Sequence, residues 1–117
     1  MSRILQIGYD KSVLQTTNEL LKSGRYTVVT VRGNTRAARI SCSDRSFSLV
    51  ILGQTTHPWK RRALAGWLKL EQPAIPVMAL HTEKGATIPQ ADYNCVLDES
   101  NHWLSMVQQA CAAGVAH

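Results

Sequence analysis

The chain has 117 residues, of which 44% are hydrophobic and 18% charged, and a formal net charge of +5, which is one domain by length with room for a single buried core. No apolar run approaches the ~20 residues that a membrane span requires, and Met1 to Gln6 lead straight into a strand pattern without the hydrophobic region of a signal peptide, so a cytoplasmic protein is expected. Cys42, Cys95 and Cys111 are odd in number and widely spaced, which argues against a disulfide framework or a zinc knuckle and for reduced, partly buried thiols.

Arg3-Ile4-Leu5-Gln6-Ile7-Gly8 reads as a first strand, with Gly8-Tyr9-Asp10 as the turn that leaves its carboxyl end. A helix follows over about Ser12–Ser23. Ser12 and Gln15 fit a capping box, Val13, Leu14, Thr17, Leu20 and Leu21 form the apolar stripe, and Gly24 stands where a left-handed cap is expected. Tyr26 to Val31 is short and almost entirely β-branched, a second strand. Gly33-Asn34 turns the chain into a short helical candidate, Thr35–Ser41.

Phe47-Ser48-Leu49-Val50-Ile51-Leu52-Gly53 places four consecutive branched apolar residues between turn-forming flanks. That pattern suits a central parallel strand covered on both faces. His57-Pro58-Trp59 opens the next helix, in which Trp59, Ala63, Trp67 and Leu70, joined by Leu64, predict the buried stripe and Lys60, Arg61 and Lys69 the remaining surface. Val77-Met78-Ala79-Leu80 is the fourth strand. The stretch His81 to Gln90 carries Gly85 and Pro89 and little apolar periodicity, so a loop or at most one helical turn is expected where the alternation asks for a helix. Tyr93 to Leu97 is the fifth strand. Asp98, Glu99 and Ser100 lead into a last helix with Trp103, Met106, Val107, Ala110 and Cys111 as its buried stripe and Gly114 as its end.

Strands alternating with helices, joined by right-handed crossovers, give an α/β fold: one domain over residues 1–117, a doubly wound five-stranded parallel sheet of flavodoxin-like order 2-1-3-4-5, with the fourth helix short or absent. Ligands of such sheets bind at the carboxyl ends of the strands.

The strand segments Arg3 to Ile7 and Phe47 to Leu52, with the Ile75-Pro76-Val77 lead-in to the fourth strand, resemble the receiver domain of bacterial response regulators, the CheY-like fold, over nearly the whole chain. The resemblance implies an acidic pair after strand one that holds Mg²⁺, a phosphate-accepting aspartate ending strand three, a Ser or Thr ending strand four and a lysine ending strand five. The matching positions here are Gly8 and Tyr9, Gly53, His81 and Asp98. None keeps the required side chain, and a glycine at the acceptor position offers no carboxylate nucleophile.

The leading expectation is therefore a non-catalytic pseudo-receiver in a two-component, phosphorelay type of signalling protein. It needs no cofactor or metal and works by phosphorylation-independent binding of another signalling protein, away from membranes. Trp103, His102 and Ile88, beside the reduced fourth helix, are the expected contact residues; the competing reading has Trp103 simply covering the sheet. Two alternatives stay open. Asp10, His57, His81 and Asp98 could converge as a small-ligand or metal site, or each could cap a helix or face water. Arg36, Arg39, Lys60, Arg61 and Arg62 could bind nucleic acid, against which stands the absence of any aromatic-basic motif.

Overall fold

The computed structural model describes residues 2–8, 11–33, 36, 46–53, 58–82, 87–97 and 101–115. The helix expected at Thr35–Ser41 lies outside them apart from Arg36, which is helical and exposed; Cys42 and the Asp98 to Ser100 caps also lie outside. Five strands, β1 (Arg3–Gly8), β2 (Thr27–Arg32), β3 (Leu49–Leu52), β4 (Val77–His81) and β5 (Tyr93–Val96), and three helices, α1 (Lys11–Ser23), α2 (Pro58–Glu71) and α3 (Trp103–Val115), make up the described elements. All strands are parallel, in the order β2-β1-β3-β4-β5.

Burial along the strands follows this order. Every residue of β3 and β4 is buried, whereas the edge strands β2 and β5 alternate with exposed positions. A strand with neighbours on both sides and helices on both faces has no solvent side, so it reads as an unbroken apolar run. Leu5, Ile7, Val50, Leu52, Val77 and Ala79 point to the face covered by Leu64, Ala65 and Leu68 of α2. Ile4, Leu49, Ile51, Met78 and Leu80 point to the opposite face, beneath Leu21 of α1 and Trp103, Val107, Ala110 and Cys111 of α3. Cys95 and Cys111 are free and buried, and burial raises both thiol pKa values, with a Ser2 hydrogen bond opposing the rise at Cys111.

Three local expectations are corrected. The left-handed residue that ends α1 is Arg25, at φ 67°, and not Gly24. The helix closes there with short turns, Gly24 N–H donating to Leu21 O and Arg25 N–H to Lys22 O, each at 3.0 Å, which carries the reversal one residue further along. Gly114 lies inside α3, which runs to Val115. The buried stripe of α2 is Arg61, Leu64, Ala65 and Leu68, spaced i, i+3, i+4 and i+7, while Trp59 and Leu70 are 63% and 83% exposed. Three aliphatic side chains of moderate size fit the sheet face there, while Trp59 and Leu70 turn outward and Trp67 stays half-buried, packed against the same core.

Between β4 and β5, residues 87–92 form no helix, while the preceding Glu83 to Ala86 lie outside the described residues. Within residues 87–92, Ile88 inserts its side chain into the α2-side core and is 2% exposed.

Candidate functional site

The carboxyl end of the sheet is organised around Arg61. One turn into α2, its side chain points at the sheet and is 5% exposed. Burying a cation costs several kcal/mol unless hydrogen bonds replace its water. Here Nη1 donates to Gly53 O at 3.1 Å and to Leu80 O at 2.6 Å, and Nη2 donates to His81 Nδ1 at 3.0 Å. The guanidinium thus ties the ends of β3 and β4 together from above, with carbonyls and an imidazole among its partners.

His81 is 2% exposed at the end of β4. Because a guanidinium only donates, Nδ1 accepts and the ring proton sits on Nε2, which donates to Asn94 Oδ1 at 2.8 Å. Burial is the main cause that holds the His81 pKa below its ordinary 6.5; the Asn94 hydrogen bond opposes the shift and the charge of Arg61 adds to it. Asn94, on edge strand β5, also accepts from Ile88 N–H at 2.8 Å and donates through Nδ2 to Ile88 O at 3.3 Å. A continuous chain, Gly53, Arg61, His81, Asn94, Ile88, therefore runs across the sheet end and anchors the link between β4 and β5.

The lowered pKa has a measurable consequence. The folded state resists protonation of His81 while the unfolded chain takes up the proton near pH 6.5, so its stabilising contribution is complete above that value and is lost as pH falls toward the folded pKa. Urea midpoints followed from neutral pH down to about pH 5 should fall more steeply for the native protein than for His81→Gln. Equal slopes would show that His81 is not held neutral.

The other side of the site is closed by backbone contact. Gly53 N–H donates to Ile7 O at 2.7 Å, and a Cβ on Gly53 would stand 3.1 Å from that same oxygen. A Cβ on Gly8 would come within 2.4 Å of the Leu14 side chain, which is buried in α1. Helix α1 can lie this close because Gln6, fully buried in β1, donates through Nε2 to Leu14 O at 3.1 Å and to Thr17 Oγ1.

Of the positions expected to matter, Gly8, Gly53 and His81 meet at this edge, while Tyr9, Asp10, His57 and Asp98 lie outside the described residues. Both ring nitrogens of His81 are engaged and a guanidinium stands 3.0 Å from one of them, so His81 as arranged is no metal ligand. No group of three or more His, Cys, Asp or Glu among the described residues could hold a metal ion. The basic-patch alternative loses its centre, since Arg61 is buried. The contact residues are corrected as well: Trp103 and Ile88 are 1% and 2% exposed, core residues both, and only His102 of the three is exposed. Trp103 borders an open groove of about 350 Å³ beside Thr16, Leu20 and Leu97, which has no titratable group among its described lining residues.

The sequence offers no signal for Asn94 as a site residue, and its charge pattern offers Arg61 only as a member of the basic patch. The signal for Arg61 was its spacing from Leu64, Ala65 and Leu68, which puts it on their stripe.

Neither a family model nor a curated protein sequence matches the chain. Solved structures do. The response regulator TrrA of Thermotoga maritima in complex with Mg²⁺-BeF superposes with a TM-score of 0.84 at 18% identity, over 94% of this chain and 99% of that one. The signal receiver domain of an HD domain-containing protein of Pseudomonas fluorescens gives 0.83 at 18%, over 98% and 90%. TrrA in complex with the histidine kinase ThkA gives 0.81 at 18%, over 94% and 98%. At these identities the likeness establishes the CheY-like, flavodoxin-type fold. Among the described residues no helix is long and apolar enough to cross a membrane.

Proposed function

We propose that the chain is a degenerate receiver domain, a pseudo-receiver of a cytoplasmic, response-regulator-like protein, that acts without catalysis or phosphorylation by binding another signalling protein. The observation that carries this reading is the hydrogen bond from the buried Arg61 guanidinium to Gly53 O. Where the receiver resemblance implies a carboxylate nucleophile beside Mg²⁺, this chain has a residue without a side chain and a fixed cation. A divalent ion placed next to that cation would be repelled in a medium of low dielectric. Gly8 adds no side-chain oxygen and its carbonyl already accepts from Gly33 N–H at 3.1 Å, and the Leu14 contact leaves an acidic side chain at that position no room unless Leu14 moves. The described residues therefore do not fit Mg²⁺. The complex of TrrA with a histidine kinase supports a signalling protein as the partner here.

The test is chemical. Incubation with acetyl phosphate and Mg²⁺ should leave the intact mass unchanged, and beryllofluoride with Mg²⁺ should not shift the melting temperature. A mass gain of one phosphoryl group would overturn the proposal. Gly53→Asp alone should also remain unmodified, because Arg61 and Gly8 are still in place and the new Cβ meets Ile7 O at 3.1 Å.

A further inference from the structure

The outer face of α2 turns two large apolar side chains toward solvent. Trp59 and Leu70 are the exposed large hydrophobic residues among those described, at 63% and 83%, and both stand on this one helix face. Between them lie Ala63, exposed, and Gly66, half-buried; the intervals Trp59, Ala63, Gly66, Leu70 are four, three and four residues. At 3.6 residues per turn these four form one line along the helix, opposite the buried Arg61, Leu64, Ala65 and Leu68. Alternating steps of four and three are the spacing with which one helix meets another along a seam. Gly66 suits the middle of such a seam, since a Cβ there would meet only Gln90 Cγ at 3.9 Å and its absence lets a second backbone come close.

The flanks decide what the occupant is. Lys60 lies over the Trp59 ring at 5.7 Å, Arg62 is exposed, and Lys69 borders Leu70 while bonded to Asp92 at 2.8 Å. Glu71 is exposed at the carboxyl end of the Lys60 flank and Asp92 neutralises Lys69, so the excess positive charge lies on the amino-terminal half of the face, at Lys60 and Arg62, and two copies in parallel register would set these cations against each other. We propose that the outer face of α2 is the docking surface of the domain, and that its occupant is an amphipathic helix of another protein with small or aliphatic residues along its seam and Asp or Glu on both flanks. The inference rests on the reading that the domain works by binding another protein, and it places that interface on α2 and away from α3.

The probe is a displayed library of two- to three-heptad helical peptides with Ala, Leu or Ile at seam positions and Glu, Gln or Lys at flanking positions, selected on the whole chain. Selected peptides should be enriched in Glu at the flanks. Synthetic versions should bind about tenfold or more weakly to the double variant Trp59→Ser, Leu70→Ser and to Arg62→Glu. Lys22→Glu on exposed α1 should leave binding unchanged. Melting temperatures confirm that each variant is folded, and both seam substitutions are at exposed positions. Three results would each overturn the inference: no binders, binders without a Glu preference, or binders indifferent to the α2 substitutions. The last would leave protein binding intact and move the interface. Phosphoryl uptake from acetyl phosphate is read separately and bears only on the phosphorylation-independent reading.

Discussion

Arg61→Met should destabilise the domain by about 3 kcal/mol, because a buried acceptor that loses its donor costs ~1–3 kcal/mol and this guanidinium serves three. The methionine fills much of the same volume, so lost packing is a minor part of the effect, and relief of the buried charge offsets only part of it. Gly53 O, Leu80 O and His81 Nδ1 lose the donors that Arg61 gives them. Arg61→Lys should fall between the two proteins, since one ammonium cannot repeat the geometry of a planar fork. Urea denaturation measures both variants. A second readout separates the hydrogen-bonded hub from simple core packing: the charge of Arg61 helps to lower the His81 pKa, so the His81 titration followed by NMR should move upward in Arg61→Met. Native stability together with an unmoved His81 titration would mean that Arg61 does not hold the strand ends.

The sheet was legible in the sequence for a physical reason. Leu49 to Leu52 and Val77 to Leu80 are short runs whose residues are all buried in the structure, and only a strand flanked by strands and covered on both faces buries every side chain in succession. Their carboxyl ends, Gly53 and His81, follow from chain direction alone. The phase of α2 was not legible in this way. Its sequence offers two apolar lines, one with two tryptophans and a leucine and one with Leu64, Ala65 and Leu68 beside an arginine. Side-chain bulk favours the first; the structure buries the second, and of the first only Trp67 packs, half-buried, against the core. Charge is a reliable mark of the surface only where no set of fixed acceptors awaits the cation, and the acceptors of Arg61 come from the ends of two different strands, eight residues before it and about twenty after it. Asn94 was hidden likewise, because besides bracketing the Ile88 peptide it accepts the hydrogen bond of His81 Nε2, a contact that exists only once β5 lies beside β4.

Trp103→Ala should cost about 3–5 kcal/mol, the usual loss for a large aromatic cut from a core. That is a large share of the ~5–15 kcal/mol by which a domain is stable at all. The side chain is 1% exposed and packs with the cluster of Ile4, Leu49, Ile51, Met78 and Leu80 beneath α1 and α3. Its Nε1–H is buried without a hydrogen-bond partner. Trp103→Phe therefore removes two opposing contributions at once: part of the indole contact area, and a donor whose burial costs ~1–3 kcal/mol. The phenylalanine variant should lie within about 1 kcal/mol of the native protein, while His102→Ala, at the neighbouring exposed position, should change stability by less than about 0.5 kcal/mol. The three variants in one denaturant series distinguish a core tryptophan from a contact residue. If Trp103→Phe lost as much stability as Trp103→Ala, the indole nitrogen would have to have a partner in solution. If Trp103→Ala were nearly neutral, the tryptophan would not be covering the sheet, and a contact role on α3 would regain support against α2. Binding losses in Trp103→Ala alone do not locate the interface, since a domain deprived of this much stability presents every surface less often.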